Sequence, residues 1–136
     1  MDKGKPMYAA TQSSSYQLPV EPAPRTLLIV EDDKAFLERL SRAMETRGFT
    51  VTSCDNVPEG LAAIEQSPPA FAVVDLRVGD GNGLDVVAAL QSKRPGARAI
   101  VLTGYGNIAT AVTAVKLGAV DYLAKPADAD EVAAAL

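Results

Sequence analysis

Five side chains in this sequence could share one piece of chemistry if the fold brought them together. They are Glu31, Asp32, Asp75, Thr103 and Lys125, and each sits at or just past the end of a short, largely apolar run. Three carboxylates confined to a small space repel one another, and a bound cation removes that cost. The chain has no histidine and a single cysteine, Cys54, so the expected ion is a hard one. Mg²⁺ suits a few carboxylates together with waters and a phosphate oxygen. A lysine and a hydroxyl beside the ion would meet the remaining charge of a phosphoryl group. In such a set Asp75 would attack phosphorus in line. Lys125 would pair with one phosphoryl oxygen as a point charge, and Thr103 would donate a hydrogen bond to another.

Composition removes competing chemistries. Without histidine there is no Ser-His-Asp or Cys-His nucleophile, no histidine zinc site and no phosphohistidine donor. One cysteine excludes an internal disulfide and a multi-cysteine zinc site. A formal net charge of −4 gives no broad attraction for nucleic acid or anionic lipid. No apolar run approaches membrane-spanning length, and the first residues lack the apolar core of a secretion signal. A cytoplasmic location and no membrane contact are the resulting expectations. The 136 residues, 48% of them hydrophobic, suffice for one domain with its own core.

The five groups need a scaffold. Residues 1–24, with Ser13, Ser14, Ser15 and Pro19, Pro22, Pro24, read as a flexible N-terminal tail. Residues 25–136 read as the domain. Apolar runs at 27–30, 49–54, 71–75, 99–102 and 119–124 predict five strands, of which 71–75 is the type buried on both faces. Helical spacing predicts five helices between and after them, the fifth starting near Asp128 and cut off at Leu136. In the fourth, Ile108, Val112 and Val115 are expected on a buried face, with Ala109, Ala111 and Ala114 nearer the surface. Alternating strands and helices imply an α/β fold: a single five-stranded parallel sheet with helices on both faces. By analogy the strand order is the flavodoxin-like 2-1-3-4-5, which gathers the ends of strands one, three, four and five at one edge.

With these parts in place, residues 26–136 resemble the receiver domain of bacterial two-component response regulators. The resemblance rests on Leu28-Ile29-Val30-Glu31-Asp32-Asp33, Val73-Val74-Asp75-Leu76, Leu102-Thr103-Gly104 and Asp121-Tyr122-Leu123-Ala124-Lys125-Pro126. It implies that Asp75 is the phospho-acceptor and that the domain is regulatory rather than an enzyme, though able to speed its own phosphotransfer and dephosphorylation. It implies an Mg²⁺ site of Asp32, Asp75, the backbone carbonyl of Arg77, and Glu31 acting through water. It implies a switch pair of Thr103 and Tyr122, a phosphate-binding Lys125, and a cis Lys125–Pro126 bond. A sensor histidine kinase is the implied partner. The fourth helix, fifth strand and fifth helix are the implied readout surface, and a homodimer there is one expectation. One position departs from the family pattern: Gly79 stands where proline is usual, and the expected effect is a looser loop that touches no chemical group.

The stretches Asp75-Leu76-Arg77-Val78-Gly79-Asp80-Gly81-Asn82-Gly83-Leu84-Asp85-Val86 and Leu102-Thr103-Gly104-Tyr105-Gly106-Asn107-Ile108 narrow the resemblance. They are similar to the RegA/PrrA/ActR group of redox-responsive transcription regulators, which contact DNA through an output domain beyond the receiver. Other readings stay open. A stand-alone phosphorelay receiver fits the same residues. An aspartyl-phosphate phosphatase would need a second acid two residues after its nucleophile, where Arg77 stands. A nucleotide or flavin site would use the glycines at 79, 81 and 83, but their spacing is not the dinucleotide fingerprint.

Overall fold

In a computed structural model, residues 25–104 and 108–136 are described. The expected tail, residues 1–24, and the loop residues 105–107 lie outside them. The elements in chain order are β1 (Thr26–Val30), α1 (Lys34–Thr46), β2 (Thr50–Cys54), α2 (Val57–Gln66), β3 (Phe71–Asp75), α3 (Gly83–Lys93), β4 (Arg98–Thr103), α4 (Ile108–Lys116), β5 (Asp121–Ala124) and α5 (Ala129–Ala135). Between β3 and α3, Arg77–Val78 pairs antiparallel with Gly81–Asn82 as a short ribbon. All five main strands are parallel, in the order β2-β1-β3-β4-β5. That is the expected 2-1-3-4-5 arrangement.

Successive strand residues point to opposite faces, so each central strand feeds two cores. Leu28, Val30, Val74 and Val101 pack with Ile64 of α2 and Leu90 of α3 on one face. Leu27, Ile29, Val73 and Leu102 pack with Leu37, Leu40 and Met44 of α1 and Val132 of α5 on the other. Burying each such side chain contributes roughly 1.5–3 kcal/mol, which is why β1 and β3 hold their ends steady. Helices α1, α2, α3 and α5 start at side-chain caps. Asp33, Asn56, Asn82 and Asp128 each accept a backbone N–H from the first turn of α1, α2, α3 and α5. Asp128 and Glu131 bond reciprocally as a capping box.

Helix α4 departs from the expectation at four positions; Ala109 is exposed as expected, and the Ile108 side chain lies outside the described residues. Ala111 and Ala114 are buried, whereas Val112 and Val115 are 45% and 41% exposed. Small side chains let a helix approach the sheet closely, and Ala114 packs into the core beside Ala119. Size is a poor guide to inwardness where the gap to be filled is narrow. The larger valines are left outside, as are Leu117, Val120 and Tyr122.

Candidate functional site

Parallel pairing brings the strand ends to one edge, and register sets which residues meet. Val30 pairs with Val74, so Glu31 and Asp75 follow side by side. Asp75 pairs with Leu102, directly before Thr103. Thr103 pairs with Ala124, and the Lys125 N–H donates to the Thr103 carbonyl at 2.7 Å. Glu31, Asp75, Thr103 and Lys125, from four strand ends, are thus brought together by the backbone ladders and their extensions.

One carboxylate oxygen from each of Glu31, Asp32 and Asp75 lies within 4.8 Å of the others. Glu31 and Asp75 are buried, and Asp32 is exposed. The Lys125 ammonium reaches into the cluster, 2.9 Å from Asp75 Oδ2 and 2.9 Å from Glu31 Oε1. Towards Asp75 this is a directed hydrogen bond. Towards Glu31 it is a charge contact outside hydrogen-bond direction, so Oε1 is buried without a hydrogen-bond donor among the described residues. The second Glu31 oxygen accepts the Asp33 N–H at 3.1 Å. Asp75 Oδ1 accepts the Arg77 N–H at 3.1 Å. The Phe36 ring stands 5.7 Å from the Lys125 nitrogen and shields one side of it.

The charges respond to this crowding. Burial pushes the Glu31 carboxyl up from 4.5 to about 7; Lys125 and the Asp33 N–H pull it down, and the Asp75 charge adds to the rise. For Lys125, burial pulls the pKa down, but the contacts with Asp75 and Glu31 outweigh it and hold the ammonium above its ordinary range. One lysine cannot balance three acids. An all-oxygen donor set of three carboxylates, two of them buried and sharing one lysine, fits a hard divalent cation.

The structure also places the remaining expected residues. Thr103 is buried, and its hydroxyl donates to the carbonyl of its neighbour Gly104, at 3.2 Å. Tyr122 is 38% exposed, and its backbone N–H donates to Asp121 Oδ1. Arg77 is exposed, and its backbone begins the ribbon. The Lys125–Pro126 bond is cis. A cleft of about 480 Å³ lined by Leu76, Arg77, Gly79, Asp80, Asn82 and Thr110 opens along the ribbon that follows β3. A larger groove of about 630 Å³, between α1, β2 and α2, contains none of these groups and cannot serve this chemistry.

Two glycines of the site escape a reading by residue type. A Cβ on Gly83 would stand 2.2 Å from the Asp75 carbonyl oxygen, so α3 can start close behind the acid only with glycine. The expectation that Gly79 touches no chemical group is corrected by the structure: its N–H donates to Asp32 Oδ2 at 2.9 Å. Backbone donors carry no signature in residue type, and only the strand-turn glycines at 79 and 83 hint at either.

Residues 27–136 match the family model of the response regulator receiver domain. The chain belongs to this family. Receiver domains are regulatory, phospho-accepting domains of two-component systems that bind divalent cations at acidic residues and interact with sensor histidine kinases. The chain is 64% identical over 112 residues to the acid tolerance regulatory protein ActR of Sinorhizobium medicae, covering 82% of this chain and 58% of that protein. It is 61% identical over 114 residues to the photosynthetic apparatus regulatory protein RegA of Cereibacter sphaeroides, covering 84% of this chain and 62% of that protein. It thus spans about three-fifths of the length of these curated relatives. A response regulator from Burkholderia pseudomallei, solved with a phosphorylated aspartic acid, calcium ion and citrate, superimposes with a TM-score of 0.77 at 43% identity, over 82% of this chain and 66% of that one. Family membership sets aside the phosphatase and nucleotide-binding readings.

Proposed function

We propose that Asp75 accepts a phosphoryl group from the phosphohistidine of a sensor kinase, and that residues 25–136 form the receiver while residues 1–24 are a tail. The observation that carries this reading is the Lys125 ammonium resting on Asp75 beside two further acids. The cation is assigned as Mg²⁺, held by Asp32, Asp75, the Arg77 carbonyl and, through water, Glu31. Bound there, it would neutralise charge on the carboxylates and on the transferring oxygens. Asp75 forms the new oxygen–phosphorus bond as the phosphorus–nitrogen bond to imidazole breaks, and imidazole leaves with the electron pair. Lys125, already 2.9 Å from Asp75 Oδ2, follows the negative charge onto a phosphoryl oxygen. The same groups would promote hydrolysis of the aspartyl phosphate, so the domain speeds its own reset.

The Thr103 hydroxyl, bonded to a neighbouring carbonyl, turns to donate to the phosphoryl group. Space then opens for Tyr122 to rotate inward from its exposed position. The exposed Val112, Val115, Leu117 and Val120 support a readout surface on α4 and β5, and with α5 it would carry a homodimer on phosphorylation. In the complete regulator the switch would control transcription through a DNA-binding output domain, in the cytoplasm. A stand-alone phosphorelay receiver is the second reading, and the exposed α4–β5 surface would serve it equally. A redox stimulus would act through the kinase rather than at Cys54, which is buried and whose thiol burial pushes up, away from the reactive thiolate. The test is transfer of label from a phosphorylated histidine kinase domain. Parent chain should take up the label and Asp75→Asn should not; equal uptake by the variant would remove Asp75 from its role.

A further inference from the structure

Among the three clustered acids, Asp32 is the exposed one. An exposed aspartate ordinarily samples several rotamers. Here Oδ2 is held by the Gly79 N–H at 2.9 Å, a contact between residues 47 apart in the chain. Gly79 lies at the tip of the short ribbon, between Val78 and Gly81. Its φ is +58°, in the left-handed region that glycine enters freely. Nothing lies within 4 Å of where its Cβ would stand, so packing does not demand a glycine there. Backbone conformation does, and that conformation is the one in which the N–H meets Asp32.

We propose that Gly79 is a positioning residue for the cation site. Its N–H fixes the rotamer in which Asp32 lies within 4.8 Å of Glu31 and Asp75, and so ties cation binding to the conformation of the ribbon. The proposal rests on reading the three acids as a cation site. An N–H directed at Asp32 offsets part of the repulsion from the other two carboxylates, and one engaged oxygen leaves the second for the ion. The coupling is reciprocal. If the ribbon conformation favours the ion, the ion must favour that ribbon conformation by the same factor.

Three chains distinguish the outcomes in Mg²⁺ titration calorimetry: the parent, Gly79→Asn and Gly79→Pro. Asparagine tolerates a positive φ and keeps the N–H; proline forbids that φ and has no N–H. Receivers with the usual proline at this position bind their cation without such a donor, so the quantity tested is the increment this N–H adds in this chain. The Asn variant should bind Mg²⁺ within about twofold of the parent, and the Pro variant about tenfold more weakly, the size expected for losing a hydrogen bond to a charged group. A Pro variant that binds as tightly as the parent overturns the positioning role while leaving the cation site intact. A parent that does not bind Mg²⁺ overturns the cation site and this inference with it. Should the Pro variant fail to fold, nuclear magnetic resonance on the parent decides. A scalar coupling between the Gly79 amide nitrogen and the Asp32 carboxyl carbon, with slower exchange of that amide in Mg²⁺, supports the role. Absence of the coupling overturns it.

Discussion

Replacing Glu31 by glutamine should make the cation-free protein more stable at pH 8. Glu31 is fully buried, and its carboxyl is pushed up from 4.5 to about 7. Because the folded-state value is the higher one, the folded protein holds this proton more tightly than the unfolded chain. Below about pH 4.5 both states are protonated and the group is neutral towards folding. As pH rises the unfolded chain ionises first, and stability falls until the folded carboxyl has also ionised, above about pH 7. Displacement by that amount converts to about 3 kcal/mol. Glutamine keeps the shape and loses the ionisation, while Lys125 retains Asp75 as its partner. Urea unfolding in chelator, followed by circular dichroism from about pH 4 to about pH 8.5, should show Glu31→Gln gaining up to about 3 kcal/mol at the alkaline end and less than about 1 kcal/mol near pH 5. Saturating Mg²⁺ should shrink the gain, because the ion stabilises the folded parent with Glu31 ionised. A difference independent of pH, or a glutamine variant less stable at pH 8, would refute the reasoning.

Three further outcomes are expected. Gly83→Ala places a methyl 2.2 Å from the Asp75 carbonyl oxygen and 2.9 Å from Val74 Cγ1, so backbone must move. It should destabilise by at least about 1–3 kcal/mol in urea and slow labelling of Asp75, and parent-like behaviour in both would show that α3 is less tightly seated. Thr103→Ala should still accept a phosphoryl group but lose the response that follows; if sedimentation shows its phosphorylated form assembling like the parent's, Thr103 is not the relay. Asp128→Ala removes the reciprocal cap of α5 and should lower stability by about 1 kcal/mol in the same urea assay, an effect that an unchanged midpoint would deny.

Legibility follows burial. Strands β1, β3 and β4 are covered on both faces, which demands continuous apolar runs, and such runs are visible in one dimension. A polar residue at the end of each run stands out against it, so Glu31, Asp75, Thr103 and Lys125 can be picked out by residue type and position alone. Strand order comes by analogy, since periodicity says nothing about neighbours. Strand β5 begins only at Asp121 although its apolar run starts at Ala119, because Ala119 is buried and its N–H turns back to the Ala114 carbonyl of α4, so the run covers a turn as well as the strand. The facing of α4 is hidden from periodicity because side-chain size does not report depth: Ala111 and Ala114 are buried while Val112 and Val115 are exposed. The Gly79 N–H and the Gly83 contact are out of reach for another reason. Both are backbone geometries, fixed only when chain segments far apart in sequence have been assembled.

The central claim is that Asp75 takes one phosphoryl group with help from a divalent cation and Lys125. Incubation with acetyl phosphate, read by intact-protein mass spectrometry, tests it most directly. With Mg²⁺ the parent should gain a single phosphoryl group, with chelator it should gain almost none, and Asp75→Asn should gain none under either condition. Undiminished labelling of Asp75→Asn, or labelling of the parent indifferent to Mg²⁺, would contradict the account.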